Sequence, residues 1–349
     1  MRRLIFCLIA VVAGAGALAA QEHAIKGEFR ENLHAKLDPS LSSYKPGMTV
    51  NGEIRSVGAD TMEELTKLWT TGFKKVQPGA TFTIEAKASG TAVPALTDGK
   101  ADVGPCAREV LPPELEPFQK KFGYEPFAVR VASGSYRTPG KTHAIAFLVN
   151  KENPIEKLTF SQLDAIFSTT RKHGGKEDIK TWGQVGLMGE WANKPISVWG
   201  LIRPNGIANF IQGRVMTNGE FKSGINERTT VGQLAALDAI AQGVAADKYA
   251  IGYAGFGNLI PGTKAIALAE NDNGPYYKGT FEEVAAHSYP LSRYIYIYVN
   301  RAPNKPIEPK TKEFLDYILS KEGQEAVVRE GIFLPLSAAD VKQERAKIQ

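Results

Sequence analysis

Cysteine and histidine are scarce in this chain of 349 residues, with two cysteines, Cys7 and Cys106, and five histidines. No His-x-x-x-His or Cys-x-x-Cys spacing occurs, so the residues do not suggest a metal centre of the hydrolytic kind. Two cysteines are also too few for a disulfide-stapled mini-scaffold, and the length suggests about two domains with cores of their own. Long Lys/Arg runs are missing as well. With 42 basic against 37 acidic residues the formal charge is +5, too mild and too dispersed to support a nucleic-acid partner. A composition of 43% hydrophobic and 9% aromatic residues excludes disordered, collagen-like and coiled-coil chains.

The one long apolar run stands at the start. Arg2 and Arg3 precede Leu4 to Leu18, and small residues Ala17, Ala19 and Ala20 follow. This pattern predicts a secretory signal peptide over residues 1–20. The run of about 15 residues is shorter than the roughly 20 that a membrane-spanning helix needs. Cys7 lies inside it without small residues before it, so it does not resemble a lipoprotein acylation site. Processing removes Arg2, Arg3 and Cys7, which lowers the charge of +5 by two and leaves Cys106 unable to form an internal disulfide. The mature protein is expected to be periplasmic and monomeric. Residues 21–47, broken by Pro39, Pro46 and Gly47, read as a lead-in with little structure of its own.

From Met48 onward strand-like and helical patterns alternate. Strands are expected at 52–57, 81–86 and 101–104, with helices at 61–73 and 93–96 between them. A similar unit recurs with strands at 144–149, 196–201 and 249–253 and helices at 161–167, 207–216 and 232–242. The alternating segment RYIYIYVN (293–300) reads as a strand, followed by an amphipathic helix over 310–329. This order predicts an α/β fold of two lobes, each a mostly parallel sheet flanked by helices. Lobe I is assigned to residues 48–140 plus 300–345 and lobe II to 141–299. Such sheets bind ligands beyond the carboxyl ends of their strands, which directs attention to strand-to-helix loops.

Four such loops share one form: Gly58-Ala59-Asp60-Thr61-Met62, Ala88-Ser89-Gly90-Thr91, Gly104-Pro105-Cys106-Ala107-Arg108 and Arg203-Pro204-Asn205-Gly206-Ile207. Helix N-termini present unpaired N–H groups, glycine admits close approach, and Ser, Thr and Arg add donors, so these loops suit an oxyanion. Structural explanations stand beside each. Asp60 with Glu63, or Thr61 with Glu64, fits a capping box; Ser89-Gly90-Thr91 fits a simple turn; Asn205-Gly206 is a common turn pair; Arg108 beside Glu109 fits a surface charge.

The spaced set SVGADTM, ASGTAVPALTDGKADVGPCARE, LTFSQLDAIFS, IGYAGFGNL, YPLSRYIYIYVN and FLDYILSKEGQEAV resembles the phosphate-binding branch of bacterial periplasmic solute-binding proteins, over about Met48 to Leu336. The resemblance implies a type II periplasmic-binding fold, non-enzymatic and cofactor-free, whose lobes close on a small anion, phosphate first, for delivery to a membrane ABC permease. It places ligand contacts at Thr61, Met62 (through its backbone N–H), Ser89, Gly90, Arg108, Arg203, Gly206 and Asn209. Closure is expected by hinge bending near residues 140 and 300. Two stretches depart from the family pattern. Pro105-Cys106-Ala107 stands where a small polar run is usual, and Gly206-Ile207-Ala208-Asn209 stands where Gly-Ser-Gly-Thr is usual. Backbone N–H groups around Ile207 to Asn209 are left to compensate, while Asp60, Glu63 and Glu64 either oppose a dianion or, through an Asp that accepts from a protonated ligand oxygen, favour a monoprotonated one. The departures keep two alternatives open: a sensing or interaction module with a degraded anion site, and a binder of another oxyanion or an organic acid.

Enzymatic readings find little support. Cys106 at a helix start beside Arg108 suggests a lowered pKa, against the alternative of a buried, inert thiol. His143 reads as a turn or rim residue. Gly252-x-x-Gly255-x-Gly257 lacks the downstream acidic residue of a nucleotide site.

Overall fold

The computed structural model describes residues 35–228 and 236–349. The predicted signal peptide, the lead-in up to residue 34 and the start of the expected helix at 232–242 lie outside the described residues.

Strands β1 (Gly52–Ala59) and β2 (Ala80–Lys87) pair in parallel along their whole length. The helix Glu63–Val76 between them buries Leu65, Trp69 and Phe73, one per turn on a single face, against the sheet. Glu63 and Glu64 in its first turn and Lys74 and Lys75 in its last complement the helix dipole. A parallel bridge from Ser56 to Val103 leads into β3 (Gly104–Cys106), and β4 (Phe127–Ser133) completes the first pass through lobe I.

The chain then crosses to lobe II. Strands β5 (Ile145–Asn150), β6 (Lys157–Thr159), β7 (Ser197–Leu201), β8 (Asn226–Arg228), β9 (Ala250–Gly255), β10 (Thr263–Ala265) and β11 (Ala267–Ala269) follow. Five of them form a sheet in the order β10-β5-β9-β7-β8, and β6 and β11 make a separate parallel pair. Two buried apolar clusters match the two lobes: Ile54, Trp69, Phe73, Ile297 and Phe314 in the first, Phe147, Phe167, Trp182 and Tyr253 in the second.

Strand β12 (Tyr294–Val299) corrects the expected lobe boundary at 299/300. It inserts between β3 and β4, antiparallel to both, with Tyr296 opposite Cys106 and Ile297 opposite Val129. The period-2 pattern identifies a strand but not its partner; burial of Ile295, Ile297 and Val299 in the first core decides it. The second crossing therefore lies at 290–293 rather than near 300. The two crossings run side by side: the Gly134 N–H donates to the Arg293 carbonyl at 2.8 Å and the Ile145 N–H to the Leu291 carbonyl at 3.2 Å. The expected parallel pairing holds for β1–β2 and β7–β8–β9, while β5 and β12, the strands that follow a crossing, run antiparallel to their neighbours.

The helix expected over 310–329 is two helices, Pro309–Ile318 and Lys321–Glu330. Ser320 separates them and caps the second by accepting the Gly323 N–H at 3.3 Å. The described part of the lead-in has no regular element, yet Leu41 enters the first core and the Tyr44 hydroxyl donates to Glu313 at 2.7 Å. No helix among the described residues is long and apolar enough to cross a membrane.

Candidate anion site between the lobes

A cavity of about 380 Å³ separates the lobes. Lobe I lines it with Asp60, Thr61, Ser89 and Arg108, lobe II with Asn205, Gly206 and Ile207, and the two crossings with His143 and Arg293. All four loops singled out in the sequence thus meet at one place, the third contributing through Ala107 and Arg108.

At the first loop no side chain caps the start of the helix Glu63–Val76. Asp60 Oδ1 accepts the adjacent Thr61 N–H at 2.8 Å, so the expected capping box does not form and Thr61 keeps its hydroxyl. That Oγ1 is buried without a hydrogen-bond partner among the described residues. The Lys141 ammonium donates to the Thr61 carbonyl at 2.6 Å and ties the first crossing to this loop. The Met62 side chain is fully buried in the lobe I core and takes no part in the cavity wall.

Ser89 Oγ accepts the Ala107 N–H at 3.1 Å, which joins the second and third loops and leaves the hydroxyl proton to donate. Gly90 lies behind the wall, against the Arg108–Glu114 pair. Arg108 faces the cavity with its guanidinium held by Glu114. Burial pushes the Glu114 carboxyl up, but hydrogen bonds from Arg108 and from the Leu111 N–H outweigh burial and hold it below its ordinary value. Cys106 is fully buried beside the Ser89 carbonyl; burial pushes its thiol up to about 11 against the opposing influence of Arg108, so the inert reading of this cysteine holds.

The fourth loop differs most from expectation. Arg203 does not line the cavity: its guanidinium pairs with Glu227 at 2.8 Å and lies 4.7 Å from the Phe221 ring centre. The amides expected to compensate for missing hydroxyls are already engaged. Asn205 Oδ1 accepts from the Ile207 N–H at 2.8 Å and the Ala208 N–H at 3.3 Å, and the Asn205 carbonyl accepts from Asn209 at 2.9 Å. The Asn209 side chain is outside the cavity lining. Gly206 does line it, and a Cβ there would stand 2.9 Å from Arg108 Cδ across the cleft, so this approach of the lobes requires glycine.

Two cavity residues were not legible as site residues. His143, expected at a turn or rim, is buried at 4% exposure. Burial, with Arg293 adding to it, lowers its pKa to about 4, while the nearby Thr138 backbone opposes the shift. Arg293, within the distinctive YPLSR segment, is 5% exposed and its Nε has no hydrogen-bond partner among the described residues.

A neighbouring cavity of about 450 Å³ also reaches Arg293 and is lined by Arg130 and Arg214. Those two arginines are neutralised by Glu344 and Glu270, so its charge is already met within the protein. Uncompensated donors concentrate instead on the cleft between the lobes.

Over residues 44–322 the chain matches the PBP superfamily domain. The chain belongs to the PBP superfamily. Within it the chain is PstS-like: it is 37% identical over 338 residues to the phosphate-binding protein PstS of Pseudomonas aeruginosa, covering 97% of this chain and 96% of that one. Identity falls to 24% with the PstS of Staphylococcus saprophyticus, over 85% of this chain and 84% of the relative. It is also 24% with the protein SphX of Synechococcus elongatus, over 87% and 83%. The crystal structure of PstS from Borrelia burgdorferi superposes with a TM-score of 0.53 at 17% identity, covering 82% of this chain and all of that one, which shows the shared two-lobed superfamily fold.

Proposed function

We propose that this protein is a periplasmic receptor that captures inorganic phosphate between its lobes and delivers it to a membrane ABC permease, acting without catalysis. The observation that carries the reading is that Thr61, a residue on the wall of the interlobe cavity, has a buried hydroxyl without a partner among the described residues. A buried polar group left unmatched costs about 1–3 kcal/mol, and an oxyanion seated against Thr61 offsets that cost. Thr61 and Ser89 supply hydroxyls, Arg108 supplies charge from lobe I, and Gly206 admits the lobe II wall. The kinship with a phosphate-binding protein across nearly the whole chain supports phosphate over other anions. The cavity of about 380 Å³ is large enough for a single phosphate. Ile207 lines this space without filling it, which argues against a blocked cleft serving only as an interaction module.

Thermal unfolding across a series of anions tests the reading, since a ligand bound only by the native state raises its melting temperature. Phosphate is expected to raise it in a saturable manner and above sulfate, molybdate, phosphonates and organic acids. A larger rise with one of the others reassigns the ligand, and no rise with any of them removes anion capture.

A further inference from the structure

Three arginines compete for the role of charge partner to the anion, and the structure separates them. Arg203 is turned outward onto Glu227. Arg108 is engaged by both oxygens of Glu114, at 2.6 and 2.9 Å, and by the Glu109 carbonyl at 3.0 Å. Arg293 is the most buried of the three, with a side chain only 4% exposed, and its ion pair is the loosest, Nη2 to Glu109 Oε2 at 3.4 Å. Its Nε has no hydrogen-bond partner among the described residues, and the guanidinium carbon lies 5.0 Å from the Phe210 ring centre, a contact that satisfies no N–H. A buried guanidinium so weakly compensated is costly unless an anion completes it.

Glu109 lines the neighbouring cavity of about 450 Å³ together with Tyr296, on the far side of Arg293 from the interlobe cavity, and is built to give way into it. Its side chain is 40% exposed, and its Oε1 accepts the Tyr296 hydroxyl at 3.1 Å, so it keeps a hydrogen bond and contact with water after leaving Arg293. We infer that Arg293 is the cation on which the bound anion's charge rests and that Glu109 is an internal counter-ion which the anion displaces. The neighbouring Nε and Nη2 groups form a fork suited to two oxygens of a tetrahedral oxyanion. Thr61, whose hydroxyl is unmatched among the described residues, stands on the same cavity and provides a donor for a further oxygen, and His143 shares that wall. Arg293 and His143 sit on the two crossings and Thr61 on lobe I, so one small anion would join both crossings to the first lobe. Glu109 is then a positioning residue and a competitor that sets affinity.

This inference deepens the phosphate reading and rests on it, so the test separates the two. Inorganic phosphate is titrated calorimetrically into the full mature chain, stripped of ligand, and into Arg293→Gln, Arg293→Lys, Glu109→Gln and the Glu109→Gln/Arg293→Gln double variant. Loss of a charge-assisted fork predicts that Arg293→Gln binds about 10- to 100-fold more weakly, with partial recovery in Arg293→Lys. Removing the competitor predicts that Glu109→Gln binds about 3- to 10-fold more tightly, a gain absent in the Arg293→Gln background. Glu109→Gln also carries the test should Arg293→Gln fail to fold. Wild-type binding with Arg293→Gln unchanged, or Glu109→Gln weakening binding, overturns the inference while leaving phosphate capture intact. If the wild type ignores phosphate, the phosphate reading falls and the variants are titrated with whichever anion stabilises the wild type; if none does, the inference falls with it.

Discussion

Arg108 and Glu114 face each other at the edge of the cleft through two bonds, Nη1 to Oε2 at 2.9 Å and Nη2 to Oε1 at 2.6 Å. The same carboxylate accepts the Leu111 N–H at 2.8 Å and so closes the start of the helix Pro112–Phe122. Two functions meet in one side chain: it fixes a cleft arginine and it begins a helix. Both partners are about four-fifths buried, so the pair should matter more than an exposed one. Glu114→Ala is expected to lower stability by about 2 kcal/mol, read as a drop in the urea midpoint at constant slope. An unchanged midpoint would mean that the pair is no more than a solvated contact.

Asn205 makes a second local prediction. Its Oδ1 takes two amides at the start of the helix Gly206–Arg214, the N-cap role for which asparagine is favoured. Asn205→Ala should cost about 1 kcal/mol in thermal unfolding, and Asn205→Ser should recover most of it. Equal losses in both variants would show that the side-chain acceptor is not what holds this helix start.

Close approach sets a third. A Cβ on Gly255 would fall 1.9 Å from His143 Cδ2, and the buried imidazole has little room to retreat. Gly255→Ala should destabilise by about 2 kcal/mol through overpacking. The double variant Gly255→Ala/His143→Ala should be more stable than the sum of the single effects, because the clash disappears with the ring. Strict additivity in denaturant unfolding would contradict the contact.

The pH dependence of stability follows from the same histidine. His143 titrates near 4 in the fold against 6.5 ordinarily, so as pH falls the unfolded chain takes up a proton first. Stability from this group is therefore fully present above about pH 6.5 and is lost progressively down to about pH 4. The depression corresponds to about 3 kcal/mol as an order of magnitude. His287, lowered to about 4 chiefly by burial, adds to the same window. Melting temperatures measured from pH 7.5 to 4 should fall across this range, and His143→Gln should flatten the slope. An unchanged slope in that variant would assign the acid sensitivity elsewhere.

What could be read in advance was local, and what could not was set by distant contacts. The strands and helices from 52 to 97 follow from apolar periodicity and from the local parallel pairing of β1 with β2 across the helix that joins them. Thr61, Ser89, Arg108 and Gly206 reach the cleft because strand-to-helix loops from both lobes converge there. Arg203 was misplaced because the direction of a long side chain depends on Glu227 and Phe221, more than a dozen residues away. The Ile207 to Asn209 amides were expected to be open, although Asn205 is a residue that commonly caps. Arg293 and His143 escaped because neither carries a local motif of its own; both acquire their place where two crossings lie side by side. The YPLSR segment was a signal, but Arg293 was read as the first residue of a strand, whereas β12 starts at Tyr294.

The most direct test of the central claim is equilibrium binding of labelled inorganic phosphate to refolded, ligand-stripped protein, with Thr61→Val measured beside it. The account predicts saturable uptake of one phosphate per chain, weakened about tenfold or more when the Thr61 hydroxyl is removed. Failure of the folded wild-type protein to take up phosphate at millimolar concentration would contradict it.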